Sequence, residues 1–287
     1  MKVVDQSAKC SFCNQRFPLD RTQCPHCAQP QLFPNVGRAE LQEEKQKLNM
    51  RYNRAKRNSE DSSCEVAFNE FERACNSSVA VFKCSTLKLF RAIATGTDLF
   101  ETFHDLESLR IRLERPSEHD WQKLRPQAEI ELLGTHHHLD KLHYAALSLD
   151  GEGLDSYGDC AVILADEMIR HRASCFEGNS GLIFEREHGY SRYLRSTWAD
   201  RAKLCVAKTD GKLAQSKSPD EFPNLLLRSG STQDDDEFVE VHVFGTMTAH
   251  TFGRVSIDVS RLSRAQGVLW KAVKEKLAIA NVTVCEK

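Results

Sequence analysis

Valine occupies every second position along one segment of the chain, within residues 237–244. This period of two predicts a β-strand with two different faces. The two faces hold Val239, Val241 and Val243 on one side and Phe238, Glu240, His242 and Phe244 on the other. A glutamate and a histidine between two phenylalanines are typical of the lining of a cleft, so we expect the second face to border a site.

Short β-prone runs alternate with turns and helices through the rest of the C-terminal half. Strands are predicted at residues 144–149, 159–164, 182–184, 254–258 and 282–284, and helices at residues 166–171, 191–203 and 263–278. Together these elements predict an α+β domain over residues 136–287, which is a normal size for one domain.

Helical patterns dominate residues 37–135. An exposed helix is predicted at residues 38–58, with acidic residues early and basic residues late, as the helix dipole favours. Further helices are predicted from about residue 61 and at residues 85–96, 98–115 and 117–133, with a break at Pro126 in the last one. The sequence therefore predicts a helical middle region before the β-rich domain.

Four cysteines near the N-terminus form two Cys-x-x-Cys pairs with ten residues between them: Cys10, Cys13, Cys24 and Cys27. Two residues between thiolates allow both sulfurs to reach one metal at about 2.3 Å. So short a segment buries too little apolar surface to fold alone, so a metal would supply folding energy. Two disulfides or a thioredoxin-like redox motif are the alternatives, but no βαβ pattern accompanies the pairs. Residues 1–36 are predicted to form a zinc ribbon.

Composition limits the class of protein. The net charge is −2 and 28% of the residues are charged, so the whole chain is neither a polyanion binder nor an acidic tail. We predict no membrane span and no signal peptide, because no long apolar window is present. Of the 11 cysteines, those outside the ribbon are odd in number and lack framework spacing. This indicates a reducing compartment and predicts a cytoplasmic protein.

A run of basic residues without an acidic one lies in the first predicted helix, at Lys45, Lys47, Arg51, Arg54, Lys56 and Arg57. It has two interpretations, a solvated helix face or a patch that contacts phosphates. The solvated face is favoured, since basic side chains usually lie on surfaces without a partner.

Four stretches of the β-rich half, taken in order, resemble bacterial toxin-like domains of the ADP-ribosyltransferase superfamily. They are residues 143–148 (HYAALS), 157–164 (YGDCAVIL), 170–180 (RHRASCFEGNS) and 238–245 (FVEVHVFG). In that superfamily a tyrosine-centred strand is followed by a Tyr-Gly-Asp strand, an Arg-x-Thr/Ser-x-Phe turn and a late strand with the catalytic glutamate. The resemblance covers about residues 140–260 and implies a split β-sheet that binds NAD.

The resemblance implies a role for each matching residue. Glu240 matches the catalytic glutamate, which stabilises the positive charge that develops as nicotinamide leaves NAD. His143 and Tyr144 match the strand that orients the cofactor, and are assigned with Glu240 to the catalytic group. The implied cofactor-binding residues are Ser174, Arg172, which can pair a pyrophosphate oxygen, and His242.

The sequence also departs from the family pattern at three positions. Lys141 stands where related domains often carry an arginine, and His242 stands where glutamine is usual. Phe238 precedes Glu240 by two residues, so the Glu-x-Glu pair of arginine-modifying members is absent. An arginine acceptor is therefore disfavoured, which leaves a nucleic acid, another protein side chain, or water.

Several other residues have ordinary structural interpretations. Glu240 alone reads as an exposed strand glutamate. His136, His137 and His138 suggest a metal site, but adjacent histidines point in different directions and a solvated loop is favoured. The acidic run 234–237 is interpreted as a solvated turn, and Cys175 as an inert thiol.

Two functions follow from these patterns. The first is an NAD-dependent ADP-ribosyltransferase, a toxin or defence effector with a nucleic acid (RNA or DNA) or protein target, and with an antitoxin or chaperone as a further partner. In this hypothesis the ribbon recruits the target. The alternative is a zinc-ribbon nucleic-acid-binding or adaptor protein without catalysis.

Overall fold

The computed structural model of the protein describes residues 7–9, 13, 15–18, 23–28, 32–94, 99–112, 120–135, 139–213 and 218–287. Cys10 and the three histidines at 136–138 lie outside these residues. Near the N-terminus, β1 (Ser7–Lys9) and β2 (Arg16–Pro18) pair antiparallel in register Ser7 with Pro18. This short hairpin accompanies the cysteine pairs of the predicted ribbon.

The helices of the N-terminal half follow the predicted pattern, except that two helices, α1 and α2, stand where one was predicted at residues 38–58. They are α1 (Pro34–Ala39), α2 (Gln42–Asp61), α3 (Glu65–Asn76), α4 (Thr86–Ala94), α5 (Phe103–Arg112) and α6 (Asp120–Leu133). The predicted break at Pro126 is wrong, because α6 continues through it. A proline inside a helix removes one backbone hydrogen bond. Here the buried side chains of Ala128, Leu132 and Leu133 hold the helix against its neighbours on the far side of the proline.

The described strands of the main body form one eight-stranded, mostly antiparallel sheet. Its members are β3 (Val79–Cys84), β4 (Leu142–Ser148), β5 (Cys160–Leu164), β6 (Ala173–Phe176), β7 (Arg195–Thr197), β8 (Glu240–Phe244), β9 (Phe252–Ile257) and β10 (Thr283–Glu286). The spatial order is β10-β9-β5-β3-β4-β8-β6-β7, and β9 and β10 are the parallel pair. The mixed α/β architecture agrees with the α+β class predicted from the sequence.

Strand β3 corrects the prediction of a middle region built of helices alone. It lies inside residues 37–135, yet it pairs with β4 on one side and β5 on the other, at the centre of the sheet. Its apolar run of Val79, Ala80, Val81 and Phe82 is too short to separate strand from helix by periodicity. Where the chain divides into domains stays a prediction.

Two predicted elements of the C-terminal half are also wrong. The predicted strand at 182–184 lies in a helix, α8 (Ser180–Glu187), whose first turn is capped by the Asn179 side chain. Residues 191–203, predicted as one helix, contain β7 and then the start of α9 (Arg201–Lys208). Short apolar runs fit either element, and the N-cap and the packing decide between them. The remaining helices are α7 (Asp166–Ile169), α10 (Phe222–Leu226) and α11 (Arg264–Ile279).

The sheet has a core on each side. The valine face of β8 lies fully buried in the larger core, with helices α3, α4, α9 and α11 contributing to it. Helices α6 and α8 pack together at the other face, around Phe176, Phe184 and Tyr190. The two faces predicted for residues 237–244 are thus confirmed, but the strand itself begins only at Glu240. Among the described residues, no helix is both long enough and apolar enough to cross a bilayer.

The sheet splits between β3 and β4. The two strands pair only at Val79–Ser148, Ala80–Leu147 and Val81–Ala146. Beyond Val81, β3 continues along β5, whereas residues 142–145 of β4 continue along β8. Because the strands diverge, a wedge-shaped gap opens in the middle of the sheet.

Gly158 allows the loop before β5 to pass close to the end of β3. Its φ is 141°, and a β-carbon there would lie 2.3 Å from the carbonyl carbon of Cys84 and 2.4 Å from the nitrogen of Ser85. We expect Gly158→Ala to lower the free energy of unfolding by about 2–4 kcal/mol, since backbone strain and overpacking each cost roughly 1–3 kcal/mol. Urea unfolding measures the loss.

Gly211→Ala is the matched control for this substitution. Gly211 also has a positive φ, of 80°, but nothing lies within 4 Å of its added β-carbon. The control therefore carries backbone strain without overlap, and it should cost no more than about 1–2 kcal/mol. Equal losses in the two variants would contradict a role for the close contact at Gly158.

Candidate active site

A cleft of about 490 Å³ fills the gap in the split sheet. Strands β3 and β4 form two of its walls, and the start of α4 and residues 101–106 form a third. Arg125 of α6, Tyr157, Phe238 and Glu240 complete the lining. Its volume lies within the range of small-molecule sites, and charged groups line it among apolar ones, as such sites require.

Glu240 begins β8 and is buried, with 3% of its side chain exposed. Its Oε2 accepts a hydrogen bond from the backbone N–H of Ser180 at 3.0 Å and another from Nε2 of His242 at 2.9 Å. Ser180 is the first residue of α8, so the helix dipole also favours an anion here. The structure therefore holds this carboxylate in one orientation at the cleft.

The electrostatics keep Glu240 ionised. Burial by itself raises the pKa of a carboxyl group. At Glu240 the hydrogen bond and charge of His242, the charge of Arg125 and the Ser180 hydrogen bond outweigh that effect, so the pKa is lowered from its ordinary value. A buried carboxylate that is anionic at neutral pH can stabilise positive charge that develops nearby.

His242 stands between two aromatic rings. It lies opposite Tyr144 on β4 and opposite Ser174 on β6 in the strand register. Its ring centroid is 5.4 Å from that of Tyr144, edge on, and 6.2 Å from that of Phe176, stacked. These contacts fix the imidazole, and its hydrogen bond then orients Glu240. His242 thus acts on the site through Glu240.

Tyr144 is fixed by helix α6. Its hydroxyl donates a hydrogen bond to Oε1 of Glu129, and the guanidinium carbon of Arg125 lies 4.2 Å from its ring centroid. The other oxygen of Glu129 accepts a hydrogen bond from Nε2 of His104 at 2.5 Å. Arg125 and Glu129 are both buried. Helix α6 therefore brings a cation and an anion to the side of the cleft that holds Glu240.

The contact between His104 and Glu129 predicts a pH dependence of stability. Burial lowers the pKa of His104, but the hydrogen bond and charge of Glu129 outweigh it, so the pKa is raised above 6.5. The stabilising contribution is therefore fully present below the unfolded pKa and is lost as pH rises through the folded pKa. His104→Gln should cost about 1–2 kcal/mol more at pH 6 than at pH 8.5. Urea unfolding at both pH values measures it.

A double-mutant cycle supplies the control for this prediction. In a Glu129→Gln background the partner charge is gone, so His104→Gln should cost the same at both pH values. A pH-dependent cost that persists in that background would assign the effect to a different partner of His104.

His143 lies on the opposite face of β4 from Tyr144, because successive strand residues alternate. It is 4% exposed and lines the cleft from this other side. Burial, together with the charges of Lys88 and Arg172, lowers its pKa to about 4. His143 is therefore neutral at physiological pH, and it does not join Glu240, His242 and Tyr144.

The predicted cofactor-binding residues Arg172 and Ser174 have other partners. The guanidinium of Arg172 donates to three backbone carbonyls, those of Met168, Phe244 and Thr246. The Ser174 hydroxyl accepts from the Asn35 amide at 3.2 Å. Neither side chain is among the described residues that line the cleft. Their role toward a cofactor stays a prediction, and the geometry assigns both to bracing the sheet.

Sequence reasoning missed Arg125, Glu129 and His104. Arg125 and Glu129 are four residues apart, so they share one face of a continuous helix. The predicted break at Pro126 placed the two residues in different segments, so their four-residue spacing on one helix face was not recognised. His104 lies in α5, and nothing in the sequence pairs it with α6.

Three of the four ribbon cysteines cluster in the structure. The sulfurs of Cys13, Cys24 and Cys27 all lie within 4.8 Å of one another, and those of Cys13 and Cys24 are 3.6 Å apart. A tetrahedral zinc ion with bonds of about 2.3 Å requires sulfurs that are separated by slightly more than the 3.6 Å between Cys13 and Cys24. The cluster therefore fits a metal site, with Cys10 outside the described residues.

The basic residues of α2 mostly bind other parts of the chain. Arg51 makes a two-pronged ion pair with Glu177, and Arg54 pairs with Asp210. Lys47 donates to the carbonyls of Ser191 and Tyr193. These contacts tie α2 to the residue after β6, to the turn after α9 and to the segment before β7. They disfavour the phosphate-contacting interpretation of this helix.

Comparison with known proteins gives little further information. No protein-family model and no curated protein matches the chain. Among solved structures, the chain is similar to Thermus sp. 2.9 DarT in complex with ADP-ribosylated single-stranded DNA. The likeness has 8% sequence identity, covers 74% of this chain and 94% of that chain, and has a TM-score of 0.33. So low a TM-score defines neither the fold nor the chemistry of this protein.

Proposed function

We propose that the protein is an NAD-dependent ADP-ribosyltransferase with Glu240 as its catalytic carboxylate. The observation that supports this most directly is the position of Glu240. It is a buried, ionised glutamate held by two hydrogen-bond donors, and it lines a cleft formed where the central sheet splits. A fixed, buried anion beside the reacting carbon is the group needed to stabilise a cationic transition state.

In the proposed reaction the nicotinamide ribose of NAD lies beside Glu240. The bond between the anomeric carbon and the nicotinamide nitrogen breaks, and its electron pair leaves with nicotinamide, which becomes neutral. The ribose then carries positive charge, which the Glu240 carboxylate stabilises. An acceptor atom attacks the anomeric carbon and loses its proton. His242 positions Glu240 for this step through the hydrogen bond at 2.9 Å.

The edge of β4 supplies a further contact for the nicotinamide. The backbone N–H of Leu147 donates to Val239 of the segment leading into β8. Because backbone groups alternate in direction along a strand, those of Tyr144 point away from β8 and toward the gap. At Tyr144, β3 has already diverged from β4. A carboxamide can therefore pair with the N–H and C=O of Tyr144 in this proposal.

The acceptor is proposed to be a nucleic acid, or another protein side chain. Phe238 stands two residues before Glu240 and lines the cleft, so the acid that pairs an arginine acceptor in related domains is absent from this position. Water is the remaining acceptor, which would make the activity NAD hydrolysis. A toxin or defence role, a cytoplasmic location and an antitoxin or chaperone partner stay predictions.

A zinc ion held by Cys10, Cys13, Cys24 and Cys27 is part of the proposal. The separation of the three described sulfurs supports it. Such an ion would fold the N-terminal segment, because a closed tetrahedral site contributes folding energy directly. We assign the ribbon to recruiting the target, apart from the chemistry in the cleft.

The function is tested by incubating the protein with NAD in separate reactions that contain single-stranded DNA, RNA or a protein extract. Released nicotinamide and the mass of each acceptor are measured. The proposal expects nicotinamide release together with a gain of ADP-ribose on one acceptor, or free ADP-ribose if water is the acceptor. The absence of nicotinamide release with every acceptor would refute it.

A further inference from the structure

Lys88 lines the cleft from helix α4, on the β3 side of the split sheet. Its ammonium nitrogen lies 4.9 Å from the ring centroid of Phe82 and 5.4 Å from that of Phe100. Two aromatic faces hold the side chain by cation–π attraction, and among the described residues no acceptor forms a hydrogen bond with the ammonium group. The cation is thus positioned without being neutralised.

Two acids in the segment 101–106, which forms one wall of the cleft, are already engaged within the protein. Glu101, which also lines the cleft, pairs with Arg91 at 3.2 Å. Asp105 accepts hydrogen bonds from the N–H and hydroxyl of Thr102. Within the part of the chain that the structure describes, no carboxylate lies at ion-pair distance from Lys88. Burial lowers its pKa, as expected of a cation that lacks a counter-ion.

Lys83 provides a contrast within the same cleft. It lies in β3 and is also largely buried, but its ammonium group pairs with Asp155. The two lysines of the cleft therefore differ in their surroundings, and neither is simply a solvated lysine at its rim. One of the two is neutralised by the protein, and the other remains available to a ligand.

The N-terminus of α4 reinforces the charge of Lys88. Ser85, the residue before the helix, lines the cleft beside Lys88, and its hydroxyl accepts from the backbone N–H of Lys88. The first N–H groups of a helix have no partner within the helix, and its dipole favours anions there. Lysine is a common point-charge ligand for phosphate. Both features favour an anion at one place in the cleft.

We propose that Lys88, with the first turn of α4, binds the diphosphate of the dinucleotide whose ribose lies at Glu240. The inference rests on the proposed function for the identity of the ligand. The guanidinium of Arg125 lies over the ring of Tyr144 on β4, whereas the ammonium group of Lys88 lies over the rings of Phe82 on β3 and Phe100. The two cations therefore serve different parts of the cleft, one near the reacting ribose and the other at the diphosphate.

The test uses ADP, adenosine and nicotinamide as probes in isothermal titrations of the full chain. Lys88→Met keeps the apolar stem over Phe82 but removes the charge. It should weaken ADP binding at least about tenfold, leave adenosine and nicotinamide binding unchanged, and flatten the salt dependence of ADP binding. Lys88→Arg should recover part of the loss. Lys271→Met, which removes an exposed charge on α11, is the matched control and should bind ADP as the wild type does.

The outcomes separate this inference from the proposed function. Equal ADP binding by wild type and Lys88→Met would overturn the diphosphate site, even where the wild type releases nicotinamide from NAD. Lys88-dependent ADP binding without nicotinamide release would support the site and refute the enzyme. If Lys88→Met weakens the binding of single-stranded DNA or RNA but not that of ADP, the inference is also overturned, since the phosphate that Lys88 contacts would then belong to the acceptor. Thermal unfolding of each variant confirms that it is folded.

Discussion

Glu240→Gln is expected to reduce nicotinamide release from NAD at least about 100-fold, the size of effect found when one preorganised stabilising group is removed from a transition state. Glutamine keeps the shape of the side chain and can still accept from the Ser180 N–H. It lacks the negative charge that faces the developing ribose cation. The rate constant should therefore fall while NAD affinity changes little. Single-turnover measurement of nicotinamide release separates the two.

Glu237→Gln is the matched control for this substitution. Glu237 stands three residues earlier, but it pairs at the surface with Lys212 and Arg228. Surface ion pairs contribute about 0–1 kcal/mol, so both stability and activity should stay close to those of the wild type. If Glu240→Gln folds and still releases nicotinamide at the wild-type rate, Glu240 is not the catalytic residue.

Replacing Cys24 and Cys27 together with serine is expected to abolish zinc binding, from about one ion per chain to none, because two remaining thiolates cannot close a tetrahedral site. Metal binding supplies the folding energy of so small a segment, so residues 1 to about 35 should lose their structure. The main body has its own core and should remain folded. Zinc content and backbone amide exchange measure the two effects.

The same variant tests the assignment of the ribbon to recruitment. NAD cleavage should persist, whereas modification of the target should fall. The control is Cys64→Ser with Cys285→Ser, which removes two half-buried cysteines outside the ribbon and should keep zinc. A folded Cys24/Cys27 variant that no longer cleaves NAD would place the ribbon within the active architecture and contradict this division.

The residue pattern within a segment was sufficient to predict its structure where the segment itself contains the periodicity or spacing that defines the structure. The alternation at residues 237–244 determined a strand, its buried valine face and the side chain direction of Glu240, because a period of two leaves only two faces. The spacing of the cysteines likewise predicted the cluster of Cys13, Cys24 and Cys27, since two residues between Cys24 and Cys27 set the reach of that pair, while Cys13 approaches it from the other pair. The helices of the N-terminal half were likewise predicted from the helical period of apolar residues within each segment.

The pairing of strands across the sheet could not be predicted from the residue pattern within each strand. The run at Val79–Cys84 gives no sign that it lies between β4 and β5, and residues 182–184 are helical because Asn179 caps α8 and Phe184 packs in the core beside α6. Arg172 and Ser174 have residue types suited to a cofactor, but the register of β6 and the position of Asn35 give them partners inside the protein. Such contacts join residues far apart in sequence, and periodicity carries no information about them.

By itself, the sequence determined the glutamate-bearing strand and the cysteine cluster, since each depends on spacing within a short segment, and its helical and β-prone patterns together predicted the α+β class. Tertiary structure alone decided where the cleft lies and what surrounds Glu240. The cleft exists because β3 leaves β4 after Val81, and Arg125 and Glu129 reach it because α6 continues through Pro126. The partner of each charge depends on which elements pack together, so most basic residues of α2 contact other parts of the chain, whereas Lys88 lies over the rings of Phe82 and Phe100.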